Sequence, residues 1–205
     1  MRIVGGERRG ARIQAPRGLI ARPMRDQVRA SLFDILGAER LEGARVADLF
    51  AGSGALGLEA ISRGAARAVF VENAPPCLAA IAENIAHLGF GDRAVVRKAD
   101  LARGVACVAS GGATPLDLVL LDPPFDLLRG PPRKGEPDVR ALLRELGATP
   151  GLLAADARVV IETPVEHFRI EGDLPRLGYE LDLRREYGST ALVILRPRLS
   201  TAAPA

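Results

Sequence analysis

The sequence predicts an α/β fold, a parallel sheet with helices on both faces. From residue 45 onward, short apolar runs alternate with segments of helical periodicity, and repeated strand–helix units of this kind build a parallel sheet. The run Leu116–Leu121 is nearly all apolar, as expected of a strand covered on both faces. With 205 residues, 48% of them hydrophobic, the chain suits one domain with a sizeable core.

The elements follow in order. Met1–Ala15 alternates loosely around Gly5-Gly6 and Gly10, which predicts a short hairpin. Arg17 to Arg22 reads as a loop, and Pro23 sits where a helix can start. Val28, Leu32, Ile35 and Leu36 then recur at helical spacing up to Gly37. Arg45–Phe50 is the first strand, followed by a helix over Ala55–Arg63 closed by Gly64. Ala68–Glu72 is the second strand, and Pro75–Leu88 a helix closed by Gly89. Arg93–Lys98 is the third strand, with Leu101–Ala109 after it, and Leu116–Leu121 is the fourth. Leu127–Asp138 is a loop rich in Pro, Gly and charge, read as a solvated insertion rather than a gate. Val139–Leu146 is a helix, and Arg158–Glu162 the fifth strand. Tyr179–Arg185 and Ala191–Arg196 are two final strands around Tyr187-Gly188, and the tail 199–205 reads as disordered.

Composition narrows the class. No apolar run reaches membrane-spanning length, and the arginine-rich N-terminus has no apolar signal region. Two cysteines, Cys77 and Cys107, and two isolated histidines, His87 and His167, make no disulfide framework and no metal set. A cytoplasmic monomer without membrane contact is expected. The net charge of +3 is unevenly placed. Residues 1–29 hold eight arginines against Glu7 and Asp26, a net of +6, so the remainder sums to −3. A basic arm on a mildly acidic body fits a polyanionic partner. Arginine richness, with Lys98 and Lys134 the only lysines, also fits simple genome composition.

Two motifs carry chemistry. The first strand runs into Asp48-Leu49-Phe50-Ala51-Gly52-Ser53-Gly54-Ala55-Leu56-Gly57. Gly52 and Gly54 allow a tight turn that lets a ligand lie against the backbone, and the next helix presents free N–H groups there. Glu72 ends the second strand at the separation where an acid accepts ribose hydroxyls. The whole constellation reads as a nucleoside-bearing cofactor site rather than a bare turn. A dinucleotide would place its pyrophosphate at the helix N-terminus. S-adenosylmethionine brings a sulfonium and an α-amino group, for which Asp48 offers a carboxylate. Asp100, at the end of the third strand, can contact the adenine amine or cap the following helix.

The second motif is Asp122-Pro123-Pro124-Phe125, directly after the fourth strand. Two prolines fix φ and remove two donors, so the carbonyls before and between them are rigid acceptors. A carboxylate and a fixed carbonyl can accept both N–H bonds of an exocyclic amine, free its lone pair and stabilise the developing charge. Phe125 offers a face for a flipped-out base. A capped, proline-rich turn is the plain alternative.

Together these residues resemble the RsmD family of 16S rRNA guanine-N2 methyltransferases. The likeness begins with Met1–Gly6 and Arg8-Arg9-Gly10 and continues through Arg22-Pro23, Asp26, Val28-Arg29 and Leu32-Phe33. It is most specific over Asp48–Glu59, then includes Glu72, Asn84, Asp122–Phe125, Tyr187-Gly188 and Thr190. The resemblance implies a class I S-adenosylmethionine-dependent methyltransferase fold, Rossmann-like, with a seven-stranded sheet, an antiparallel last strand and a small N-terminal β-hairpin extension. It implies S-adenosylmethionine as donor and 16S rRNA, within the small ribosomal subunit or its assembly intermediate, as partner. It divides the chain into an RNA-facing hairpin and helix (1–37), a methyltransferase domain (38–198) and a tail (199–205). The expected catalytic residues are Asp122, Pro123, Pro124 and Phe125. The expected cofactor residues are Asp48, Phe50, Gly52, Ser53, Gly54, Glu72, Asn73, Asp100 and Leu101. Arg8, Arg9, Arg12, Arg22, Arg25 and Arg29 are expected to meet RNA. The chain departs from the family pattern at Met24, Gln27 and Ala30, where Thr, a basic residue and Glu are usual.

Other classes fit less well. An N6-adenine methyltransferase would use the same tetrapeptide, but the chain leaves little room for a target-recognition region. Protein glutamine methylation usually carries Asn before the two prolines. A dehydrogenase leaves Asp122–Phe125 and the basic arm unexplained, and an RNA-binding assembly factor has no need of an intact cofactor site.

Overall fold

The computed structural model describes residues 1–18, 24–109, 112–166 and 169–198. Its centre is the parallel set β1 (Arg45–Leu49), β2 (Arg67–Glu72), β3 (Ala94–Lys98), β4 (Leu116–Leu121) and β5 (Leu153–Pro164), followed by β6 (Tyr179–Tyr187) and β7 (Thr190–Pro197). The sheet order is β3-β2-β1-β4-β5-β7-β6, and β7 runs antiparallel to both of its neighbours. The order reverses between β1 and β4, the place where open α/β sheets bind ligands beyond their carboxyl ends.

The strands alternate between two apolar layers, because successive side chains point to opposite faces. Leu118 and Leu120 join one core, with α1 (Asp26–Leu36), α3 (Ala55–Ser62), α4 (Pro75–Leu88) and the N-terminal segment. Val119 and Leu121 join the other, with α5 (Ala106–Ala109), α6 (Val139–Ala148) and α7 (Leu174–Leu177). The short α2 (Ala38–Leu41) and α7 are too brief to leave a periodic signal. The segment expected over Leu101–Ala109 is split into a 3-10 turn and α5, because Gly104 turns with φ 93° while Glu145 accepts the Val105 N–H. β5 starts five residues earlier than Arg158, since its exposed first half lacks an apolar pattern. Arg22, Pro23, His167 and the tail 199–205 lie outside the described residues. Among the described residues, no helix is long and apolar enough to cross a membrane.

The N-terminal hairpin forms and docks on the domain. The Ile3 N–H donates to the Ala11 carbonyl (2.9 Å) and the Gly10 N–H to that of Ile3 (2.8 Å). Ile3 and Ile13 are buried in the first core. Gly6 lies so close to α3 that a Cβ there would stand 1.7 Å from the Ser62 carbonyl oxygen. Asn84 of α4 accepts the Gln14 N–H (2.7 Å) and donates to the Ser53 carbonyl (2.9 Å), tying the arm to the first glycine loop.

The clamp between arm and domain is ionic. Glu59 and Arg29 are both fully buried, 3.6 Å apart. The Glu59 carboxylate also accepts the Val4 N–H (2.8 Å) and the Arg63 guanidinium (2.8 Å). Arg29 further contacts Asp26 (2.9 Å) and the carbonyls of Arg2 and Met24. Arg29 therefore does not face RNA; this corrects the expectation, and the cause is Glu59, thirty residues away in sequence. Removing one partner of a buried pair strands the other charge, at a cost of about 3–5 kcal/mol. Glu59→Ala is expected to lower the unfolding free energy by about that amount, read from urea denaturation. A loss within the range of a surface substitution would show that the pair does not hold the arm.

Candidate active site

The site is built where β1, β2, β4 and β5 end. At the end of β1 the backbone turns sharply, with Phe50 at φ 60°, Gly52 at φ 56° and Gly54 at φ 78°. A non-glycine residue in the left-handed region is rare and clusters at functional sites. Gly54 caps α3 in that conformation. Gly57 lies flush against the Phe70 ring, which a Cβ would meet at 2.4 Å, and its N–H donates to Asp48 Oδ2 (2.8 Å). Asp48 is 1% exposed. Loss of solvent, with the nearby charge of Glu72 adding to it, pushes its carboxyl up to about 8, although the Gly57 N–H pulls the other way.

Glu72 closes the glycine turn. Its Oε2 accepts the Gly52 N–H (2.9 Å), while Oε1 accepts those of Asn73 (2.8 Å) and Ala74 (3.0 Å). Oε1 is thus fully used, and Oε2 keeps capacity for one further donor such as a ribose hydroxyl. Asp100 caps the 3-10 turn Leu101–Arg103 through the Ala102 N–H (2.9 Å), and it also lines the cavity beside buried Leu101. Capping and ligand contact are compatible here, because the cap uses a single oxygen.

Asp122 follows β4. Packing strips water from its carboxyl, and the charges of Glu162 and Asp48 add to that, so it is held well above the usual carboxylate range. The Glu162 side chain raises it further as a hydrogen-bonding partner, and the Met24 backbone N–H pulls the other way. Pro123 is buried. Pro124, at φ −49° and ψ 131°, turns the chain into the 3-10 turn Phe125–Leu128.

A single cavity of about 670 Å³ joins these pieces. Asp48, Phe50, Gly52, Ser53, Glu72, Asn73, Asp100 and Leu101 line one part, and Asp122–Leu127, Glu162 and Thr190 another. The N-terminal segment supplies Met1, Pro16, Met24 and Arg25 to the wall. Every described residue expected for cofactor or catalysis stands at this cavity, except that Gly54 sits just behind it as the helix cap. The loop expected over Leu127–Asp138 touches the cavity at Leu127 and Pro137, with an exposed stretch between.

Among the expected RNA residues, Arg8, Arg9, Arg12 and Arg25 are exposed and Arg22 is outside the described residues. The Arg8 guanidinium lies 6.0 Å from the Phe90 ring centre. Arg25 donates to the Tyr187 carbonyl (2.9 Å) at the cavity wall. Tyr187 packs on the first core and bonds Ser31 through its hydroxyl.

Sequence reasoning missed Glu162 and Met24. Glu162 carried a usable signal: it is an acid ending an apolar strand of a parallel sheet, at the edge where such sheets bind ligands. Met24 acts through its backbone, which leaves no trace in side-chain pattern.

The family model described as conserved hypothetical protein 95 matches residues 1–196. The ribosomal RNA small subunit methyltransferase D of Escherichia coli (strain K12) is 36% identical over 189 residues, covering 91% of this chain and 83% of that protein. A solved structure described as that of a methyltransferase, yhhF, from Escherichia coli aligns with a TM-score of 0.73 at 32% identity, over 96% of this chain and 97% of that one. At the level of fold alone, a magnesium protoporphyrin IX methyltransferase (ChlM) from Synechocystis, with bound SAM, aligns at a TM-score of 0.62 and 17% identity, over 83% and 78% of the two chains. The chain has the class I methyltransferase fold and belongs to this conserved family, the RsmD family that its motifs resemble.

Proposed function

We propose that the chain transfers a methyl group from S-adenosylmethionine to the exocyclic N2 amine of a guanine in 16S rRNA of the small ribosomal subunit. One observation carries this reading: a single cavity joins the glycine turn and its acids to Asp122-Pro123-Pro124-Phe125. The residues fit the donor, since Asp48 faces it with a carboxyl, Glu72 keeps acceptor capacity and the glycines leave room against the backbone. When bound, the donor supplies a methyl on a cationic sulfur, which leaves as a neutral thioether as the amine nitrogen takes the methyl carbon. Asp122 and the carbonyls held by the prolines accept the amine N–H bonds and orient its lone pair. Phe125, half-buried at the cavity wall, offers the target base a face. The rRNA substrate is supported by the Escherichia coli relative's name and by exposed Arg9, Arg12 and Arg25 around the docked arm.

The testing experiment is transfer of labelled methyl to unmodified small subunits, naked 16S rRNA, tRNA and duplex DNA, with nucleoside analysis of the product. N2-methylguanine in the subunit or its rRNA supports the reading; N6-methyladenine in DNA overturns it. Asp122→Ala is expected to cut transfer at least about a hundredfold with a far smaller loss of cofactor affinity. Equal loss of both, by titration calorimetry and turnover, would move Asp122 into the donor site.

Asp48 generates a pH dependence. Its carboxyl, at about 8, is protonated in the free protein at pH 7, and a cation beside it favours the ionised form. Binding of S-adenosylmethionine should therefore release a proton, and affinity should rise with pH toward about 8 and level off above it. Calorimetry at pH 7 in buffers of different ionisation enthalpy measures that release. No release by wild type, or the same release by Asp48→Asn, would remove Asp48 from this role. On the RNA side, Arg12→Ala should weaken binding evenly across sequences and lower the log–log salt slope by roughly one. An unchanged slope in a salt titration would place Arg12 outside the interface.

A further inference from the structure

Two acids at the site are neighbours on adjacent strands and line one cavity. Asp122 directly follows β4, and Glu162 lies on the adjacent parallel strand β5. The register pairs Leu121 with Ile161, so Asp122 and Glu162 are the next facing positions. Both line the cavity, and Glu162 is only 5% exposed. Glu162 acts on the Asp122 carboxyl both through its charge and as a side-chain hydrogen-bonding partner, raising it in each case. Two carboxylates have acceptors only, so a bond between them requires a proton.

We propose that Glu162 is a positioning residue for the acceptor amine: it shares one proton with Asp122, and the pair, carrying a single negative charge, takes up the proton that the amine loses on methylation. The Met24 backbone N–H pulls Asp122 the other way from Glu162, and the shared proton belongs to the pair rather than to either acid. The methylated nitrogen is cationic until one N–H bond gives up its proton, the bonding pair staying on nitrogen. The pair accepts that proton and becomes neutral, and solvent removes it as product leaves. Asp48 from β1, Arg25 from the N-terminal segment and Asp126 from the 3-10 turn line the same cavity. Burial, with the charges of Glu162 and Asp48, raises Asp122, which suits a group that receives a proton.

The inference rests on the amine-methylation reading, and its test separates the two. The first measurement is a 13C-carboxyl NMR pH titration of the protein bound to S-adenosylhomocysteine, with resonances assigned through D122N and E162Q; it needs no acceptor. Asp122 and Glu162 should titrate together in two macroscopic steps more than about one unit apart, and Asp122 of E162Q in one. Independent titration of both acids in the ordinary carboxylate range overturns the pair, whatever the substrate. The second is the pH profile of single-turnover transfer at saturating donor. Wild type should lose rate at alkaline pH, where the shared proton leaves and the two carboxylates separate. E162Q, folded by thermal unfolding and S-adenosylhomocysteine affinity, should lack that decline, because its amide cannot ionise. E162A should lose about a hundredfold. A wild-type profile for E162Q makes Glu162 a packing residue and overturns the proposal. Paired titration with no methylation of any nucleic acid would overturn the rRNA reading and leave the proton-sharing pair standing.

Discussion

One buried carboxylate, Glu59, holds the two halves of the site in register. It sits on α3, the helix that begins at the glycine turn, and its oxygens hold Val4, Arg29 and Arg63. Arg29 reaches the carbonyls of Arg2 and Met24, and Met24 lines the same cavity as Asp122. The helix that forms the donor turn thus also suspends the wall of the acceptor pocket. A buried ion pair is no better a stabiliser than well-packed apolar side chains. Its value here is positional: the pair has one satisfactory geometry, and an apolar substitute would let the arm slide.

The second constraint is electrostatic. Asp48 and Asp122 are pushed toward their neutral forms by desolvation and by neighbouring acids. A fold seeking stability alone would place apolar residues at these strand ends, as it does along the rest of β1 and β4 apart from the Arg45–Asp117 ion pair at their starts. On the proposed reading the cavity is filled in use by a cation and an amine, which satisfy these acids.

The sheet, its strands and the docked hairpin were legible because they rest on local pattern. Leu116–Leu121 is apolar but for Asp117, and Gly89 closes its helix as a positive-φ cap. The glycine turn and the proline tetrapeptide were legible for the same reason, each being a contiguous run whose chemistry follows from its own residues. What escaped was non-local. Arg29 looked like one more cation in a basic arm, and nothing near it in sequence announces Glu59. Glu162 could be placed at a strand end, but its contact with Asp122 depends on β4 and β5 being neighbours, which is a property of sheet order. Glu145, which accepts the Val105 N–H beside the Gly104 turn, broke an expected helix in the same way, through a pairing forty residues apart.

Sheet order also gives the acids a collective meaning. The consecutive strands β2, β1, β4 and β5 end at or beside Glu72, Asp48, Asp122 and Glu162. Glu72 raises Asp48, and Asp48 and Glu162 raise Asp122, so charge on any one is felt by the next along the row. A cation seated over Asp48 therefore eases ionisation of Asp122 as well as of Asp48. By thermodynamic reciprocity, a charged Asp122 holds that cation more tightly. The row favours a positively charged donor over the neutral thioether that remains after transfer, and a proton arriving at the Asp122 end weakens the preference further. The same like-charge coupling that makes the edge costly in the free protein thus distinguishes the molecule that must be held before methylation from the one that must leave after it.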